Sequence, residues 1–282
     1  IKALIFGHSY LSDVVHSKQI QNFCKFNLKE INLPKVGILN KEYVNLDRKL
    51  EFFKKNSFDL CFTHNHMAET YSKRTNIKFI LWPFAVSPSF SKNIKDKVYD
   101  IGFSGILQNT NHTHSNLRYK VMNKMFYTLF GVPLFKKKEY KTYKIFWNAK
   151  PTNLFSKVIN RLFRFHVHLS DKNYEDLLKK SKIFINTLSP AELVSPRYYE
   201  CMASKTLVLC EQSNIYKKFF PKGTYIEFDN EETIIDIIKH YLDDNEALEK
   251  ITTKAQKFIY EDHYWKNRID IFKRELDLLI LK

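Results

Sequence analysis

Apolar and polar positions fall into short blocks along the first part of the chain. Residues 1–6 (IKALIF) form an apolar run that stops at Gly7-His8-Ser9, the turn chemistry that follows a buried strand at the start of an α/β unit. Residues 46–54 (LDRKLEFFK) carry apolar side chains at helical spacing. Residues 58–63 (FDLCFT) predict a second buried strand, closed by His64-Asn65-His66. A short helix over 69–73 and a third strand over 78–82 (KFILW) follow. Strands separated by helices predict a parallel sheet.

Pro83 and Pro88 frame the next segment. Proline fixes its own backbone dihedral and lacks an amide donor, so the sheet cannot continue there. A charged stretch over 92–97 comes next, and a second strand series opens at 100–104 (DIGFS) with Gly105 at its end. The pattern then predicts a helix over 116–129, an alternating strand over 164–169, a helix over 171–182 and a strand over 182–187. Strands at 206–210 and 225–228 follow, then a helix over 231–242 with Asp229 or Asn230 as N-cap, and a last helix over 265–281. Residues 132–162 are the least regular part. The expected domains are 1–84, a hinge over 85–98, a second domain over 99–260, and a C-terminal helix over 261–282 that packs back on the first. No internal repeat or low-complexity tract interrupts the pattern.

Composition narrows the class. The chain has 282 residues, 44% of them hydrophobic, with 24 Phe, 16 Tyr and only 6 Gly. That excludes a disordered chain and gives enough apolar material for two modest cores. The formal net charge of +16 favours anionic partners. Cys24, Cys61, Cys201 and Cys210 form no CxxC pair, and are expected as reduced core thiols rather than bridges or zinc ligands. The longest apolar run, 79–86, is too short to span a bilayer, and no leader-like segment opens the chain. The expectation is a cytoplasmic protein, soluble or peripheral to the membrane face. Ile1 stands where a Met would begin an unprocessed chain, so processing or trimming is an option.

The chemistry concentrates at 195–210 (SPRYYECMASKTLVLC), where a helix runs straight into an apolar strand. Glu192 lies ahead of the helix and Glu200 within it, with seven residues between them. Three segments together resemble glycosyltransferases of the GT-B fold with a family-1/family-4-like donor domain. They are residues 82–90 (WPFAVSPSF), similar to the family's hinge; residues 99–105 (YDIGFSG) with Arg118 downstream; and residues 195–210 with the tail through Asp262-His263-Tyr264-Trp265. The resemblance covers roughly residues 82–275. It implies two Rossmann-like domains, parallel sheets with helices on both faces, and an active site in the interdomain cleft.

It also implies roles. The family's Glu at the place of Glu200 grips both ribose hydroxyls, and Glu192 by resemblance faces the sugar. The helix start near Ser195 and Arg197 offers backbone N–H groups and a positive dipole end to a diphosphate. Arg197 and Arg118 can add fixed charge as the leaving group forms, and Gly105 permits close backbone approach. His8 and His64, at strand ends of the first domain, are candidates for an acceptor-side base, ahead of His66. His166 and His168 read as structural. The family has Gly after its Met-Ala pair, where this chain has Lys205. Lys tolerates a left-handed helix end poorly, so either the turn differs or Lys205 reaches the site.

The expected activity is transfer of a sugar from a UDP- or GDP-linked donor to a hydroxyl of a glycan or glycolipid, with no cofactor and no metal. Asp243-Asp244 sits at a helix end with no strand before it, unlike a metal-binding DxD element. By the resemblance, the Glu192-x7-Glu200 pair leans towards the retaining, family-4-like chemistry, with inversion open. Lys136-Lys137-Lys138, interleaved with aromatics downstream, offers a peripheral membrane contact or a solvated loop. The alternative is a non-catalytic basic module for nucleic acid or anionic polysaccharide on a degenerate GT-B fold. An epimerase fits less well: the first strand lacks GxGxxG, and Tyr119 is followed at the relevant spacing by Asn123, not Lys.

Overall fold

A computed structural model describes residues 2–7, 27–94, 96–106, 120, 144–150, 168–189, 192–230 and 233–281. The chain divides into two compact units. One comprises Ile1–Phe84, Ala191–Val194 and Trp265–Lys282, the other Ala85–Pro190 and Ser195–Tyr264. Both are α/β and built on parallel sheets.

In the first unit, β1 (Leu4–Phe6), β2 (Lys35–Leu39), β3 (Leu60–Thr63) and β4 (Lys78–Leu81) pair in that order, all parallel. Alternate side chains of a strand face opposite sides, and β3 shows the consequence. Cys61 points to α1 (Leu46–Lys55) and α2 (Ala68–Thr75), among Leu50, Phe53, Tyr71 and Phe79. Leu60 and Phe62 point the other way, into a cluster with Trp82, Phe272, Leu276 and Leu279 of the C-terminal helix (Trp265–Ile280). The rings of Phe62 and Phe272 lie 5.0 Å apart, and each such buried side chain is worth about 1.5–3 kcal/mol. Trp82 Nε1 donates to the carbonyl of Arg268, whose Nε donates to the carbonyl of Pro83, both at 2.9 Å. At Gly37 of β2 a Cβ would stand 2.5 Å from the Phe53 ring, so a side chain there would push α1 off the sheet.

In the second unit the strand order is β6-β5-β7-β8-β9, again all parallel. The strands are β5 (Tyr99–Ile106), β6 (Ile145–Lys150), β7 (Ser181–Asn186), β8 (Leu207–Glu211) and β9 (Ile226–Phe228). The helices are α3 (Asp171–Lys180), α4 (Pro196–Ala203), α5 (Thr233–Asp243) and α6 (Asn245–Asp262). Ile234, Ile235 and Ile238 of α5 pack on Ile101, Ile183, Leu207 and Leu209 of the sheet. Order reverses at β5, with β6 on one side and β7 on the other. Open parallel sheets bind ligands at the strand ends beside such a switch point. Gly105 and the loop after Asn186 therefore occupy the place where a site is expected.

The structure adds two strands that the pattern misses. β2 is five residues (KVGIL) between Pro34 and Asn40, too short and too flanked by polar residues to stand out. β6 lies in the stretch read as least regular, and it pairs with β5 along six residues. α3 also ends two residues early. Ser181 already belongs to β7, and its buried hydroxyl donates to the Leu177 carbonyl at 2.8 Å. At the start of α5, Asn230 Oδ1 accepts from the Thr233 amide at 3.2 Å. Residues 85–94 join the second unit: the Val86 amide donates to the His263 carbonyl, and Ser87 caps a short 3-10 turn at Pro88–Ser91. Cys61, Cys201 and Cys210 are buried free thiols. Burial pushes Cys201 up to about 12, which makes it inert as a nucleophile at neutral pH. Cys24, the expected 116–129 helix apart from Lys120, and most of the expected 164–169 strand, with His166, lie outside the described residues.

Candidate functional site

The site begins at the start of α4. Ser195 is its N-cap in extended conformation and Pro196 fills the first helical position, where a missing N–H costs nothing. Among the described residues Ser195 makes no side-chain cap hydrogen bond, so its hydroxyl does not occupy the positive dipole end of the helix. Tyr198, Tyr199, Cys201 and Met202 are buried and fix the helix against its unit. Arg197 and Glu200, three apart, share the opposite, half-buried face.

α3 supplies what links them. The Tyr174 hydroxyl donates to Glu200 Oε2 at 2.8 Å and accepts from Arg197 Nε at 3.1 Å. The Arg197 guanidinium carbon is 5.8 Å from the ring centres of both Tyr174 and Phe184, within cation–π range. A Cβ on Gly105 would sit 3.6 Å from Arg197 Nη1, so the end of β5 borders the same guanidinium. Burial raises the Glu200 carboxyl above its ordinary range, against the opposing pull of the Tyr174 hydroxyl and the Arg197 charge. Burial likewise raises the Tyr174 phenol, which stays protonated as a donor.

The C-terminal end of α4 corrects the expectation for Lys205. Its φ is +56°, so the left-handed turn is kept with Lys in the place of Gly. The Thr206 amide bonds to the Cys201 carbonyl and the Lys205 amide to that of Met202, the two bonds of a Schellman motif. The Lys205 ammonium points to Glu249 of α6, not to Glu200. Lys97 Nζ donates to the Ser204 carbonyl and to Thr206 Oγ1, both at 2.9 Å, at the C-terminal end of α4.

Of the residues singled out from the sequence, Gly105, Ser195, Arg197 and Glu200 come together in the second unit. Glu192 belongs to the first. It is exposed, has φ +56°, and its carboxylate lies 4.0 Å from His66 Nε2. His64 is buried at the end of β3, stacked on Phe84 at 3.9 Å. Its Nδ1 donates to the Trp82 carbonyl at 2.6 Å, which leaves Nε2 as the basic nitrogen in the neutral ring. His8, Arg118 and Lys136-Lys137-Lys138 lie outside the described residues.

Three groups escape the sequence pattern. Tyr174 is one, recognisable only by a contact 26 residues along the chain. Glu211 accepts from the Leu188 amide at 2.6 Å. Glu42, beyond the end of β2, accepts from the Thr63 hydroxyl at 2.6 Å, while its other oxygen has no hydrogen-bond partner among the described residues. Burial raises the Glu42 carboxyl and lowers neighbouring Lys49 to about 8. Among the described residues, no group of three or more His, Cys, Asp or Glu is placed to hold a metal. No helix among them is long and apolar enough to cross a membrane.

The model of the glycosyl transferase-like family matches residues 120–274, more than half of the chain. The chain belongs to this glycosyl transferase-like family. Tyr174, Ser195, Arg197 and Glu200 all lie inside the matched segment. No curated protein matches the chain by sequence. Among solved structures, TarM superposes with a TM-score of 0.63 at 12% identity, over 93% of this chain and 53% of TarM. The pneumococcal O-GlcNAc transferase GtfA, solved with UDP and GlcNAc, gives 0.57 at 12% identity, over 94% of this chain and 60% of GtfA. Anabaena HepE, solved with UDP, gives 0.59 at 11% identity, over 87% and 72%. The transferase-like chain therefore has the GT-B fold. It spans about half of TarM and three-fifths of GtfA.

Proposed function

We propose that the chain transfers a sugar from a UDP- or GDP-linked donor to a hydroxyl of a glycan or glycolipid, without a metal. The carrying observation is the Glu200–Tyr174–Arg197 cluster at the start of α4, beside Gly105 at the switch point of the sheet. In this reading the Glu200 carboxylate accepts the two ribose hydroxyls, a bidentate arrangement that only an acceptor with two oxygens provides. The α4 amides and the Arg197 charge receive the diphosphate and stabilise it as it departs. Arg197 is held by Tyr174 before the donor arrives, so its orientation costs no reorganisation during the reaction. UDP in the GtfA and HepE structures supports a uridine donor.

His64 is proposed as an acceptor-side base through Nε2, and Glu192 as the carboxylate that faces the sugar. The resemblance of the Glu192-x7-Glu200 pair to family-4-like enzymes supports retention. A peripheral contact of the Lys136–Lys138 region with an anionic membrane or acceptor is consistent with the net charge of +16. That charge equally favours a basic binding module, and salt-steep binding of DNA or RNA with no effect of any nucleotide would select it. The test of the main reading is Glu200→Ala. Donor hydrolysis and sugar transfer are expected to vanish while the circular dichroism spectrum is kept. Unchanged turnover would rule out this donor site.

A further inference from the structure

We infer that Glu211 is a positioning residue for the start of α4, because one buried carboxyl holds the Leu188 amide directly and, through Tyr216, Tyr198 of the first turn of α4. The inference rests on the donor-site reading above. Glu211 is the last residue of β8 and is 2% exposed. Its Oε1 accepts from the Leu188 amide at 2.6 Å, two residues past the end of β7. Its Oε2 accepts from the Tyr216 hydroxyl at 3.0 Å. Tyr216 and Tyr198 have their hydroxyls 2.8 Å apart. The Tyr216 proton is engaged by Glu211, so Tyr198 donates to Tyr216. Tyr198 sits in the first turn of α4.

Glu211 thus reaches residue 188 directly and residue 198 through Tyr216. Ser195 and Arg197, of the same unit, precede residue 198 at the start of α4. Burying a carboxyl is unfavourable unless it is well bonded, and an apolar side chain would fill the same volume. What a carboxyl adds is two acceptors at a fixed separation, which set where the loop leaves the sheet and where the α4 amides begin. Glu200 is held separately, by Tyr174 from α3. Loosening Glu211 should therefore disturb the diphosphate end of a donor and spare its nucleoside end.

The test uses the full chain with Glu211→Leu, Glu211→Gln and Tyr216→Phe. Affinities for UDP and uridine, and for GDP and guanosine, are read by ligand-observed NMR, together with hydrogen exchange of the peptide covering residues 187–198. Glu211→Leu is expected to weaken the nucleoside diphosphate by about tenfold or more, the scale of a lost hydrogen bond to a charged group, and to leave the nucleoside unchanged. It should lower kcat more than it raises KM and strip protection from that peptide. Glu211→Gln, which can still accept from Leu188 and meet Tyr216, restores binding close to wild type. Tyr216→Phe, which keeps the Leu188 arm, falls between. If Glu211→Leu fails to fold, the other two variants carry the same comparison. Equal weakening of nucleoside and diphosphate, or no change in peptide protection, overturns the positioning role. Failure of the unaltered chain to bind UDP or GDP defeats the donor-site reading, and this inference with it.

Discussion

Tyr174 and Glu200 are joined by a 2.8 Å hydrogen bond between α3 and α4, and the same phenol oxygen takes the Arg197 Nε hydrogen at 3.1 Å. A half-buried acid and a half-buried base are thereby held apart by one hydroxyl instead of collapsing into a direct ion pair. Each keeps part of its bonding capacity for something else.

Tyr174→Phe removes that hydroxyl with little change of shape. Glu200 loses its donor, so its carboxyl moves further above the usual range. Donor KM is expected to rise about tenfold, from a hydrogen bond to a charged group worth about 1.5–3 kcal/mol. Steady-state kinetics on Tyr174→Phe check this, and an unchanged KM would place donor binding elsewhere.

Glu200→Gln separates stability from activity. The folded carboxyl is raised above its ordinary value by burial. Between the unfolded and folded values the native state binds more protons, so the contribution of Glu200 to stability falls as pH rises through that window. The cost is complete above the folded value. Gln carries no such cost and still accepts from Tyr174. Urea midpoints above that window should be higher for Glu200→Gln than for the unaltered chain, while transfer falls by about 10²-fold or more. The difference should vanish at acid pH.

Lys97 gives the opposite slope. Burial lowers it to about 7, and Lys49 is lowered in the same way to about 8. The unfolded chain keeps these protons up to the ordinary lysine range, so it binds more protons than the native state from about pH 7 upward. Stability contributed by both groups therefore rises with pH up to that range. Thermal unfolding between pH 6 and 10 should show the slope, and Lys97→Met should flatten it.

Lys205 is a strained position with a compensating contact. A non-glycine residue in the left-handed region costs roughly 1–2 kcal/mol. The exposed pair with Glu249 returns about 0.2–1 kcal/mol. Lys205→Gly is expected to stabilise by up to about 1 kcal/mol, whereas Lys205→Val, β-branched and unpaired, should destabilise by about 1–3 kcal/mol. Urea unfolding of the two variants distinguishes the signs.

The sequence carries the fold most clearly where a strand and helix each have length and punctuation. Pro196 marks the first turn of α4, and residues 207–210 are apolar on both faces because β8 is interior to its sheet. β2 and β6 are hidden for local reasons: five residues with a central Gly in one, aromatic and polar residues mixed in the other. Gly105, Arg197 and Glu200 were legible because a short motif holds them. Tyr174 and Glu211 were not, because their meaning lies in partners on other elements, 26 and 23 residues away. At Lys205 neither expected outcome holds: the backbone keeps the left-handed turn despite the side chain, and the ammonium pairs with Glu249.

The central claim is that α4 begins a nucleotide-sugar site gripped by Glu200. A thermal-shift series with UDP, GDP and their sugars, run in parallel on the unaltered chain and Glu200→Ala, addresses it most directly. Ligand at about 100 times its Kd adds about 2.7 kcal/mol of stability, so one nucleotide series should raise Tm for the unaltered chain and fail to do so for the variant. No shift with any nucleotide, or an equal shift in both proteins, would contradict it.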